Sequence, residues 1–164
     1  MVELPPAERR RMQALHGALQ DLQADLRRAG ATDDAWALKF DHNRALCECW
    51  QATGEAKLPG MSQYVTDLLQ GSTEDEKLLV FAHHKVVLDG LQATCAQTHT
   101  RFVRIDGSVP GAERQRLVDS FQDDAGVRVA LLSMTAAGQG ITLTAASTVV
   151  FAELHWTPGV LVQA

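Results

Sequence analysis

The sequence predicts an open α/β fold, a parallel sheet flanked by helices, preceded by a helical segment. Three observations carry this. Short apolar runs at residues 78–82, 102–105, 127–132 and 148–152 read as strands. They carry almost no polar alternation, as expected of parallel strands covered on both faces. Helical patterns at 85–97 and 110–121 lie between the first three, and strands alternating with helices of this length imply parallel pairing through right-handed crossovers. Before residue 77 the chain instead reads as helix after helix, so the boundary is placed at 76/77.

In the first segment, Pro5-Pro6 suits the opening of a helix. Met12, Leu15, Leu19, Leu22 and Leu26 recur at steps of three and four, one face of a helix over 7–29. Arg9, Arg10 and Arg11 stand near its start, where the macrodipole disfavours cations; they read as a solvated face or as contacts to another domain or a phosphate. Gly30 closes the helix. Thr32-Asp33-Asp34 opens a second helix to about residue 52, with Trp36, Leu38, Phe40, Leu46 and Trp50 less regularly spaced. Ala56-Lys57-Leu58-Pro59-Gly60 reads as a break before a third helix over 61–70, carrying Tyr64, Val65, Leu68 and Leu69 on one face. An acidic loop over 71–77 leads into the sheet.

In the second segment, Val87, Leu88, Leu91 and Cys95 point inward from the 85–97 helix, and Leu117 and Phe121 share a face of the next. Asp106-Gly107-Ser108 follows the second strand, and Ser133-Met134-Thr135, then Gly138-Gln139-Gly140, follow the third. Polar and glycine residues at strand ends mark where an α/β sheet binds its ligand.

Bulk composition narrows the functions. The 164 residues are 46% hydrophobic with a net charge of −5, enough for a core and too acidic for a basic nucleic-acid blanket. A local strip of phosphate contacts remains compatible. The three cysteines, Cys47, Cys49 and Cys95, form no disulfide framework, which favours a reducing intracellular setting. Cys47 and Cys49, with His42 nearby, are two apart on a helix and point in different directions, so no metal is assigned. The N-terminus lacks a signal-peptide pattern, and no apolar run approaches the length of a membrane span, so no membrane partner is expected.

The familiar phosphate machinery is absent. Gly138-Gln139-Gly140 continues into Ile141-Thr142-Leu143, without the third glycine of a dinucleotide fingerprint. No lysine follows a glycine in a Walker loop, no acidic pair follows a strand to hold magnesium, and no serine sits in a nucleophile elbow. Alone, these residues neither grip a triphosphate nor activate a water. Any nucleotide-driven function needs a second half.

Four segments in order resemble the second RecA-like lobe of Swi/Snf-type ATPases of helicase superfamily two. Leu79-Val-Phe-Ala-His-His-Lys85 resembles motif IV. Arg104-Ile-Asp-Gly-Ser108, followed by Glu113-Arg114 and Phe121, resembles the block after it. The run from Leu131 to Leu143 resembles motif V, and Val149-Val-Phe-Ala-Glu-Leu-His-Trp-Thr-Pro-Gly159 resembles the tryptophan-proline motif that follows. The wording of the first and last is most similar to the annealing-helicase branch. Ala137 and Thr142 depart from the usual glycine and asparagine, keeping small or polar character. The chain stops at Ala164, before the arginines of motif VI that would stabilise a transferring phosphoryl group.

The resemblance implies a RecA-like sheet, incomplete at its C-terminus, in a nuclear ATP-driven translocase that anneals DNA in repair and at replication forks. It implies ATP and magnesium as cofactors, held mainly by a first lobe, and forked or junction DNA and that lobe as partners. This segment alone is expected to hydrolyse nothing, so no catalytic residue is assigned. Gly138, Gln139 and Gly140 would face the ATP cleft, or form a plain tight turn. Lys85, Arg104, Gly107, Ser108, Ser133, Thr135 and Trp156 would meet the DNA backbone. Each has a structural alternative: Ser108 caps its helix, Arg104 makes an ion pair, Trp156 anchors the core. Arg114 reads as structural first. Two rival functions remain: a non-catalytic α/β interaction or regulatory module, and a flavodoxin-like ligand binder.

Overall fold

A computed structural model of the chain describes residues 4–30, 34–137 and 141–155. It falls into two compact units, Met1–Lys57 and Leu58–Ala164. The first holds α1 (Pro6–Ala29) and the start of α2 (Asp34–Gly71). Within it, Arg11 pairs with Glu55 at 3.1 Å and Leu19 is buried. Trp36 and Phe40 stack with centroids 6.3 Å apart, and both are exposed.

The break expected at 56–60 is absent: Pro59 lies inside α2. A proline inside a helix loses one backbone hydrogen bond and costs about 3 kcal/mol. Packing on the far side holds the helix together, because Val65 and Leu69 are buried in the sheet's core with Leu58, Met61 and Leu68 against them. These contacts also explain why the second unit begins at Leu58 rather than at the strand.

The sheet comprises β1 (Lys77–Ala82), β2 (Arg101–Ile105), β3 (Val127–Ser133) and β4 (Ala146–Phe151), in spatial order β2-β3-β1-β4. All pairs are parallel, with Phe81 opposite Leu132 and Phe151, and Ile105 opposite Leu132. The fold is therefore the parallel RecA-like sheet expected from the sequence. Alternate strand residues feed two cores. Leu78, Val80, Ala82, Val129 and Leu131 meet Val87, Leu88, Leu91 and Cys95 of α3 (Lys85–Gln97). Leu79, Phe81, Val103, Ile105, Ala130 and Leu132 meet Val118 and Phe121 of α4 (Gly111–Asp123).

The topology positions the site. From β1 the chain crosses to β2 through α3; from β3 it crosses the other way, through α5 (Met134–Ala137), to β4. Neighbouring strands β1 and β3 thus send their connections in opposite directions. That is a topological switch point, and it opens a crevice at the carboxyl ends of the strands. Among the described residues, no helix is long and apolar enough to cross a membrane.

Candidate functional site

The crevice is real and lined by residues singled out from the sequence. A cleft of about 200 Å³ is bounded by His83, Lys85, Leu88, Asp106, Gly107, Ser108 and Ser133. An adjoining, more open one of about 340 Å³ shares Lys85, Asp106 and Ser108 and adds Asp89, Gln92, Arg104 and Val109. Residues from the ends of three strands converge here because the register is level: Ala82 of β1 pairs with Ser133 of β3, and Leu132 with Ile105 of β2.

Lys85 opens α3 and is exposed on both clefts, with no ion pair among the described residues. Ser133 ends β3 buried, its hydroxyl 2.8 Å from that of exposed Thr135. Gly107 stands at the tip of the turn after β2, and a Cβ added there would meet nothing within 4 Å. Its bareness therefore serves no internal packing and leaves the backbone open to approach from outside.

Ser108 differs from its expectation. Helix α4 starts at Gly111 with Pro110 as its N-cap, so Ser108 does not cap it. Its N–H donates to Asp106 Oδ1 at 2.9 Å and its hydroxyl to the same oxygen at 2.5 Å. The Val109 N–H donates to the Asp106 carbonyl at 3.2 Å. Asp106 thus folds the turn onto its own carboxylate, as aspartate commonly does. The two Ser108 bonds, then Arg104, hold that carboxyl below its usual range against the opposing effect of burial.

Arg104 is likewise not a free cation at a strand edge. Its Nε donates to Asp106 Oδ2 at 2.9 Å, and Nη1 to Asp89 at 2.6 Å and Gln92 at 2.8 Å. With its side chain 17% exposed, it ties the turn to α3. Arg114 fastens the turn from the other side, donating from Nε to the Val109 carbonyl at 2.9 Å.

Glu153, just past β4, was given no role from sequence. It is buried, and its Oε2 accepts the N–H groups of His83 and His84 at 2.8 Å each. Gln92 and Asp89 were missed as well. None carries a local signal, because each partner lies one or more elements away. Gly138, Gln139, Gly140 and Trp156 lie outside the described residues.

The arrangement can hold an anion by one mobile ammonium, a bare backbone turn and hydroxyls. A serine hydroxyl now given to Asp106 would have to turn to donate outward, while its amide keeps the carboxylate. The chain does not supply the usual parts for holding a nucleoside triphosphate and its magnesium: it has no Walker loop and no acidic pair following a strand.

Comparison with known proteins places this geometry in context. Residues 60–164 match the helicase conserved C-terminal domain. Over 161 residues the chain is 40% identical to a Caenorhabditis elegans homologue of SWI/SNF-related matrix-associated actin-dependent regulator of chromatin subfamily A-like protein 1, covering 97% of this chain and 23% of that protein. It is 40% identical to the mouse DNA annealing helicase and endonuclease ZRANB3, covering 99% of this chain and 14% of that one. The chain thus spans less than a quarter of either relative. Among solved structures, the C-terminal domain of the Sulfolobus solfataricus SWI2/SNF2 ATPase aligns with TM-score 0.71 at 18% identity, covering 94% of this chain and 70% of that one. That likeness speaks to the fold alone. The C-terminal part of the Fun30 ATPase domain aligns with TM-score 0.58 at 28% identity, covering 66% and 34%.

Proposed function

This chain belongs to the helicase conserved C-terminal domain family, in its Swi/Snf-related branch, and from that premise we propose that it is the DNA-gripping second lobe of an ATP-driven translocase. In this reading the crevice at the switch point holds phosphates of one DNA strand. Membership of the family implies ATP-dependence in general. The nucleotide and magnesium would sit mainly on a first lobe, with Gly138, Gln139 and Gly140 facing it and Trp156 on the DNA side. The whole motor would act in the nucleus, annealing or remodelling forked DNA.

The observation that supports this most is the convergence of Lys85, Gly107, Ser108 and Ser133 on one cleft. Phosphate contacts of this kind position a protein on DNA without reading sequence. Lys85 supplies the charge, the Gly107 turn permits close approach, and the Ser133–Thr135 hydroxyl pair supplies neutral donors. Arg104 contributes through Asp106 and the turn. Because the chain is acidic overall, attraction is local, so affinity should be modest and insensitive to base sequence.

The test is fluorescence anisotropy with a short fluorescein-labelled DNA duplex. With one or two phosphates engaged, log K should fall against log salt with a slope of roughly −1 to −2. Lys85→Ala should weaken binding about fivefold or more and bring the slope toward zero, since one cation of this kind contributes on the order of 1 kcal/mol. Unchanged affinity and slope in that variant would refute the assignment of this cleft.

A further inference from the structure

The start of α3 is held by a residue that follows the neighbouring strand, β4. His84, its N-cap, makes no side-chain capping bond. The first amides of a helix need acceptors, and the Glu153 carboxylate brings one from 69 residues away. Oε2 accepts from the His83 and His84 N–H groups at 2.8 Å, and His84 Nδ1 lies 2.5 Å from Oε1. Glu153 is 5% exposed. A carboxylate so far out of water persists only where charge-assisted bonds replace its hydration, and here three converge on it.

Two consequences follow for the cleft. Lys85 is the next residue after His84, so the Glu153 clamp fixes where its backbone stands relative to the end of β4. His155, two residues beyond Glu153, is drawn in too: its ring lies 5.2 Å from that of His83, which lies 4.9 Å from that of His84. The carboxylate also fills the electropositive end of α3, where an external anion would otherwise be attracted. An incoming phosphate is left with Lys85, the Gly107–Ser108 turn and the Ser133–Thr135 hydroxyls.

We infer that Glu153 is a positioning residue for the phosphate-facing cleft, pinning the start of α3 to the end of β4 without touching the ligand. This rests on reading the cleft as a DNA-backbone surface. It assigns the acidic residue after β4 a task of its own: to make the segments after β1 and β4 one rigid wall.

The test compares the chain with its Glu153→Ala, Glu153→Gln and His84→Ala variants by amide NMR and by anisotropy with the same fluorescein-labelled duplex. Amide protons of His83 and His84 should lie downfield in the wild type and move upfield in Glu153→Ala, with Lys85 moving alongside. Signals of Val103 and Phe121, on the opposite face, should stay in place and report that the variant is folded. Binding should weaken about tenfold in Glu153→Ala, equivalent to one charge-assisted bond. Glu153→Gln, which keeps the shape and an acceptor, should recover to within about threefold. His84→Ala removes one of the three bonds and should show a smaller loss with the same Lys85 shift, which decides the matter if Glu153→Ala does not fold. A wild type that binds no duplex would overturn the cleft reading and this inference with it. A wild type that binds, with Glu153→Ala or His84→Ala equally tight, would overturn the inference alone.

Discussion

Lys77→Met removes a charge that the fold buries far from the cleft. Lys77 begins β1 and is 7% exposed. Its ammonium donates to the carbonyl of Phe121 and, at 2.9 Å, to that of Asp124, and lies 5.1 Å from the Phe121 ring centroid. Both carbonyls belong to the end of α4, where the last turn lacks backbone donors and the dipole favours a cation. The two losses are unequal. The Asp124 carbonyl also accepts the Val127 N–H at 3.0 Å, so it stays satisfied in the variant. Among the described residues outside α4, Lys77 alone donates to the Phe121 carbonyl, and an orphaned buried acceptor costs about 1–3 kcal/mol. The lost cation–π contact adds about 0.5–2 kcal/mol, and methionine's apolar burial returns about 1 kcal/mol. The net expectation is a loss of about 2 kcal/mol. Urea denaturation followed by far-ultraviolet circular dichroism measures it, as a lower midpoint at unchanged slope. A change under about 0.5 kcal/mol would show that the buried ammonium is no better than an apolar chain here. DNA affinity should not move, because the residue stands at the opposite end of β1 from the cleft.

Three further outcomes are expected. Burial, then the neighbouring His84 and His155, hold the His83 imidazole below its usual value; the folded state thus resists its protonation, so stability should be full above about pH 6.5 and fall on acidification below it. His83→Gln should flatten that slope in denaturation midpoints measured across this range, and an unchanged slope would assign the effect elsewhere. The Cys95 thiol is fully buried and pushed up to about 11 by desolvation, so under native conditions a maleimide counted by mass spectrometry should label exposed Cys47 and leave Cys95 unmodified; early labelling of Cys95 would contradict the packing of α3. Phe121→Ala empties a fully buried position in the α4 core and should cost about 3–5 kcal/mol in the same denaturation assay, a smaller loss implying that the site collapses.

The sheet was legible because its strands are mostly apolar runs and its helices carry regular stripes. Val87, Leu88, Leu91 and Cys95 are buried as their spacing requires. The α2 break was misjudged because Pro59 is a local signal, whereas Val65 and Leu69 answer to the sheet. The crevice was legible at the level of segments, since polar and glycine residues after apolar strands mark ligand ends. Its internal wiring was not. Arg104 and Ser108 looked available for phosphate from sequence, yet Asp106, Asp89 and Gln92 engage them in ways fixed by the turn after β2 and its packing on α3. Glu153 reads as one acidic residue in a motif until β4 is set beside β1 in parallel, which brings it to His84.

The most direct test of the central claim is an amide NMR titration of the chain with a short DNA duplex at low salt. The account predicts that the signals of Lys85, Gly107, Ser108, Ser133 and Thr135 move together and saturate at one affinity. It predicts that those of Lys77 and Asp124, at the other end of the sheet, stay still. Saturating shifts confined to residues outside this set, or none at any DNA concentration reached, would contradict it.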